Sequence, residues 1–135
     1  MFRFVMAVAL ASASLAQAAD LTVEVAGVKN AKGKVMVAVF NRAEDFLDKP
    51  VQAAAVDAQP GTVRLVFAGL PAGDYALSVF QDENRNGALD TNPAGMPIEP
   101  YGFSNDAAGN DGPPSFQQAL AHLPAAGGKV TIHLR

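Results

Sequence analysis

Apolar residues in this chain recur at every second position, in short runs cut by Gly and Pro, and this period of two most limits what it can fold into. Leu21, Val23 and Val25 alternate with Thr22 and Glu24 and stop at Gly27. Similar sets follow at Val35, Val37 and Val39, at Val63, Leu65 and Phe67, at Tyr75, Leu77 and Val79, and at Val130, Ile132 and Leu134. Successive side chains of a strand point to opposite faces, so each set predicts a half-buried strand. Val51 to Val56 is a weaker strand, mostly Ala. Phe116 to Leu123 suits either a seventh strand or a helical turn through Gln117, Gln118, Ala119, Leu120 and Ala121. No long helical pattern lies between the runs, which excludes a βαβ fold. The expectation is an all-β chain: a single β-sandwich of about seven strands with one long acidic loop.

Two connections have readable chemistry. Lys29-Asn30-Ala31-Lys32-Gly33 is polar, of hairpin length, with Gly available for positive φ, and predicts a turn joining the first two runs. Arg42 to Lys49 predicts a one- or two-turn helical crossover, with Asn41 as N-cap, Glu44 and Asp45 in the first turn and Pro50 past the end.

The first residues follow a different plan. Arg3 supplies a positive charge, Phe4 to Leu10 is apolar, and small residues end in Ala16-Gln17-Ala18. This is the tripartite pattern of a secretory signal peptide, so residues 1–18 are expected to be cleaved after Ala18 and residues 19–135 to form the domain. The expected location is the periplasm or the extracellular space. Beyond this segment no run approaches the roughly 18 apolar residues of a membrane-spanning helix. Ten basic and 13 acidic residues give a net charge of −3. Removal of residues 1–18 takes away only Arg3, leaving 9 against 13, or −4. An acidic surface argues against nucleic acid as a partner. The chain has no Cys, which removes disulfides, zinc ribbons, iron–sulfur sites and thiol nucleophiles from consideration. A monomer is expected.

The acid is concentrated between Asp82 and Ser115, where six carboxylates face one basic group, Arg85. A stretch of this length without regular structure is uncommon in a compact domain and draws attention as a functional segment. Its first part places oxygen-bearing side chains at relative positions 1, 3, 5 and 9 (Asp82, Asn84, Asn86, Asp90), with Gly87 at 6 and the Ala88 carbonyl at 7. These are the positions from which an EF-hand-type loop wraps Ca2+. Position 12 is Pro93, which is no ligand, and a strand precedes the loop where an EF-hand has a helix. A distant carboxylate would complete the shell: Glu99 first, then Asp106 or Asp111. The competing reading is a plain turn, because Asn-Gly is a strong hairpin dipeptide and Asp and Asn are common turn residues.

Further along, Tyr101, Phe103 and Phe116 stand among turn residues. They are either platforms for a carbohydrate, peptide or cell-wall component, or rings that dock the long loop onto the sandwich.

Three strings taken together resemble a known family. These are Leu70-Pro71-Ala72-Gly73-Asp74-Tyr75, then Asp82-Glu83-Asn84-Arg85-Asn86-Gly87-Ala88-Leu89-Asp90, then Glu99-Pro100-Tyr101-Gly102-Phe103-Ser104-Asn105. The mature chain resembles the bacterial secreted family called domain of unknown function 2141, the last string being the most specific. That resemblance implies an exported protein and no particular reaction. The Leu-Pro-x-Gly-x-Tyr turn is also similar to Ig-like, transthyretin-like and Cna-B-type β-sandwich modules, some of which carry a calcium loop at a strand end.

Catalysis has little support in the sequence. His133 lies on the Thr131, His133, Arg135 face of the last run, opposite Val130, Ile132 and Leu134, and His122 has no carboxylate near it in sequence. No nucleophile elbow, His-x-x-x-His pair or phosphate loop appears. Two readings follow. One is an exported binding or accessory module whose acidic loop holds Ca2+. The other is a small hydrolase or ligand carrier with a pocket near Tyr101 to Phe116, containing His122 or Glu99.

Overall fold

The computed structural model describes residues 18–135. The predicted signal segment, apart from Ala18, lies outside the described residues. Among the described residues eight strands form two sheets: β1 (Ala18–Val28), β2 (Lys34–Phe40), β3 (Gln52–Asp57), β4 (Gly61–Pro71), β5 (Gly73–Asp82), β6 (Tyr101–Phe103), β7 (Leu120–Leu123) and β8 (Gly128–His133). One sheet has the order β4-β1-β8, and the other the order β3-β2-β5-β6, with β7 also on β5. All pairings are antiparallel except β1 with β8. The molecule is thus all-β and compatible with a sandwich.

The period-two sets become the inner faces. Val23, Val25, Val35, Val37, Val39, Leu77, Val79 and Ile132 are buried in one cluster between the sheets, and this burial supplies the main force that holds the sheets together. The sheets are also tied through the backbone at one edge. Leu134 N–H donates to the Ala26 carbonyl at 2.9 Å, and the next residue, Arg135, donates to the Tyr101 carbonyl at 2.9 Å. β6 therefore passes close to β8. A Cβ on Gly102 would lie 2.8 Å from the His133 carbonyl oxygen, so only glycine fits there.

Three expectations need correction. The turn from Lys29 to Gly33 does not close a hairpin: β1 pairs with β4 and β8, whereas β2 pairs with β3 and β5, so the turn crosses between sheets. Burying Val23 and Val35 from opposite sides of one core outweighs the local pairing that a short turn invites. The helix over 42–49 shrinks to one 3-10 turn at Ala43–Asp45, with Arg42 rather than Asn41 at its N-terminus and no side-chain cap. Phe46 is drawn into a ring cluster, 5.4 Å from Phe40 and 5.8 Å from Phe116, and Leu47 takes φ +65°, which ends any helix. The segment from Asp82 to Ser115 is not devoid of regular structure, for it contains β6, a Thr91–Pro97 bridge and a 3-10 turn at Ser104–Asp106. The ambiguous stretch resolves into a turn over 116–119 followed by β7.

Candidate functional site

β5 delivers Asp82 to the base of the acidic loop, where it is 3% exposed. Its Oδ1 accepts the Asn86 N–H at 3.1 Å and its Oδ2 the Gly87 N–H at 2.8 Å. The loop thereby folds around its first carboxylate, whose oxygens reach amides four and five residues on. Asn86 Nδ2 donates to Asp90 Oδ1 at 2.6 Å, and Asn84 Nδ2 donates to Asp90 Oδ2. Asp82, Asn84, Asn86 and Asp90 are thus drawn together. Asn86 Oδ1 accepts the Ala88 N–H at 3.1 Å, which turns the chain at the fourth predicted position.

Glu99 is also at this loop, in a different role. It is 6% exposed, and its two oxygens accept the N–H groups of Glu83, at 2.7 Å, and Asp90, at 2.8 Å. A buried carboxylate needs such donors, and here they clamp the two ends of the loop together. Among the described residues no three acidic or histidine side chains converge as a metal cluster. Any cation in this loop would rest on Asp82 and Asp90 with amide and carbonyl oxygens. The reserve ligands lie elsewhere: Asp106 is held by His133, and Asp111 lines a groove.

The loop base leans on the crossing between the sheets. Asn30 Oδ1 accepts from Gln81 Nε2 at 2.8 Å, and Asn30 Nδ2 donates to Glu83 at 3.3 Å. Gln81 Nε2 also donates to the Lys32 carbonyl at 2.9 Å, while its own Oε1 is buried without a partner.

Beyond Glu99, Ser104 and Asn105 of the same string have structural tasks. β6 and β7 lie end to end along the same edge of β5, leaving Leu77 between them. Ser104, fully buried, fills the gap: its Oγ accepts the Leu77 N–H at 2.9 Å and donates to the Ala119 carbonyl. Asn105, at φ +61°, donates to the Leu120 carbonyl at 2.7 Å and ties β7 to the same strip.

The outer face of the five-stranded sheet carries a second apolar cluster. Ala76, Phe103 and Ala119 are buried there, with Phe46, Tyr101 and Phe116 packed against them. Tyr101 and Phe103 meet edge to face at 6.1 Å. These rings do dock the long loop, as one of the two readings expected. They also line a groove of about 540 Å³ whose other walls include Phe40, Phe80, Leu89 and Met96. Its volume is that of a small-molecule site, which typically measures roughly 300–1,000 Å³. Met96 and Leu47, both in its lining, are exposed. Sequence reasoning placed a pocket near Tyr101 but missed Phe40 and Phe80, whose shared outer face follows from strand pairing, and Met96, which the loop between Thr91 and Pro97 brings to the groove.

Residues 23–132 match the family described as "Uncharacterized protein conserved in bacteria (DUF2141)". The chain belongs to DUF2141. No curated protein and no solved structure matches it.

In this DUF2141 chain neither His122 nor Glu99 lines the groove, contrary to what the pocket reading expected. Each histidine instead has a carboxylate partner supplied by the fold: His122 Nδ1 lies 2.9 Å from Asp74, and His133 Nδ1 2.8 Å from Asp106. The second pair borders a small cavity of about 130 Å³, which no serine, threonine, cysteine or lysine lines. Partial burial pushes the Asp106 carboxyl up, but the His133 N–H and imidazole, with Arg135, together hold it below its usual value. Asp106 thus orients His133 and fastens the end of β8. Among the described residues of the DUF2141 fold, no helix is long and apolar enough to cross a membrane.

Proposed function

We propose that this protein is an exported binding module that takes a small, largely apolar molecule into the groove on the outer face of its five-stranded sheet. The observation that carries this reading is the groove itself, about 540 Å³ and faced by Phe40, Phe80, Leu89, Met96, Tyr101 and Phe103. Apolar concavities of this size lined by aromatic rings are the usual form of ligand sites. Export rests on the pattern of residues 1–18. A neutral naphthylamine dye should bind saturably to the purified protein with a blue-shifted emission, uncomplicated by tryptophan, which the chain lacks. Phe80→Ser, at a half-buried position lining the groove, should weaken binding about tenfold, as expected for losing most of one buried ring. Non-saturable binding, or binding unaffected by this substitution, would overturn the proposal.

A second element is Ca2+ in the acidic loop, supported by the two carboxylates, Asp82 and Asp90, that bonds through Asn84 and Asn86 bring to one turn; an ion would replace the amide hydrogens that Asp90 now accepts. Glu99 then acts as the clamp that holds the loop in register. The loop runs directly into Leu89 and Thr91, which line the groove, so an ion here would steady one groove wall. Millimolar calcium should raise the thermal midpoint by a few degrees, corresponding to about 1.4 kcal/mol at roughly ten times Kd. Asp90→Asn should abolish the increment. Identical midpoints with calcium and with chelator would remove calcium from the proposal.

A further inference from the structure

We infer that the groove selects an amphipathic ligand with a cationic end, such as an alkyl or aryl amine. This rests on the proposed binding role of the groove and adds the charge of its ligand. The charged side chains that line the groove are Asp48 and Asp111, and no Lys, Arg or His joins them. Asp48 follows the 3-10 turn after β2, and Asp111 precedes Pro113 on the long segment, so the two acids come from different parts of the chain. Both are exposed, and neither forms a side-chain ion pair among the described residues.

The adjoining acidic loop has the same sign. The wall containing Leu89 is flanked by Asp90 and continues into the acidic loop. The segment from Asp82 to Ser115 carries six carboxylates and one Arg. Aromatic and aliphatic side chains offer contact to an apolar body, and Ser78 and Thr91 add hydroxyl groups. A fatty carboxylate in this groove would meet like charge with no cationic lining residue to offset it, whereas an ammonium group would meet two acids without ion-pair partners.

The test compares three ligands of equal chain length, decylammonium, decanol and decanoate, displacing the neutral dye from the purified protein at low salt. Decylammonium should bind about fivefold tighter than decanol, the upper range for a solvent-exposed ion pair, and decanoate more weakly than either. Raising the ionic strength should shrink the difference. The Asp48→Asn, Asp111→Asn double variant, altered only at exposed positions, should lose the preference for decylammonium over decanol. Equal binding of decylammonium and decanol, or tightest binding of decanoate, overturns the cationic preference and leaves the groove as an apolar site. Failure of all three to displace the dye overturns the groove reading with it.

Discussion

Replacing Ser104 with Ala should destabilise the fold by about 3 kcal/mol, because it strips the hydrogen-bond partners from two buried backbone groups at once. Ser104 Oγ holds the Leu77 N–H at 2.9 Å and donates to the Ala119 carbonyl, and Leu77, Ser104 and Ala119 are all fully buried. A buried, unpaired backbone group costs about 1–3 kcal/mol, and water has no ready access at a site sealed by β5, β6 and β7. Urea unfolding should show a lower midpoint with an unchanged slope, since the surface exposed on unfolding hardly alters. A loss below about 1 kcal/mol would show that the strip between β6 and β7 repairs itself without the hydroxyl.

Gly33→Ala should be at least as damaging. Gly33 has φ +69°, and a Cβ there would lie 1.8 Å from the Asp82 carbonyl oxygen. Neither partner can yield by rotating a side chain, because the obstacle is backbone at the end of β5. Positive φ and forced displacement together should cost about 3–5 kcal/mol. The displacement would also be felt in the acidic loop, where Asp82 holds the Asn86 and Gly87 amides. Faster hydrogen exchange at those two amides is the expected local signature. Gly87→Ala provides the contrast, since φ is +80° but a Cβ would meet nothing within 4 Å. It should lose only about 1 kcal/mol, the conformational cost alone. Equal losses at both glycines would contradict the account of Gly33 as a point of close approach.

The acidic loop illustrates how far the sequence could be read. Asp82, Asn84, Asn86 and Asp90 meet around one turn because contacts between residues so near in sequence are local and set by residue offset. Glu99 was legible as a residue belonging to that loop, yet its role was not. Whether a carboxylate faces a cation or the Glu83 and Asp90 amides depends on how a chain segment nine residues away returns across the loop. The groove was less legible still. Phe40, Phe80 and Tyr101 are remote in sequence and acquire a common face only when β2, β5 and β6 pair.

The alternation of Leu21, Val23 and Val25, and of Val35, Val37 and Val39, determined by itself that this chain is all-β, since a period of two can bury one face of a strand and no face of a helix. The Asp82 to Asp90 spacing marked a turn rich in side-chain oxygens and left its bonding open between an ion and its own amides. Tertiary structure decided which strands became partners, turning the apparent β1–β2 hairpin into a crossing between sheets. It also converted an apparently featureless loop into β6 and its Ser104 joint, and it gathered the groove. Those outcomes depend on burying two apolar faces against each other and on giving every enclosed amide a partner, conditions that residues distant in sequence can meet only together.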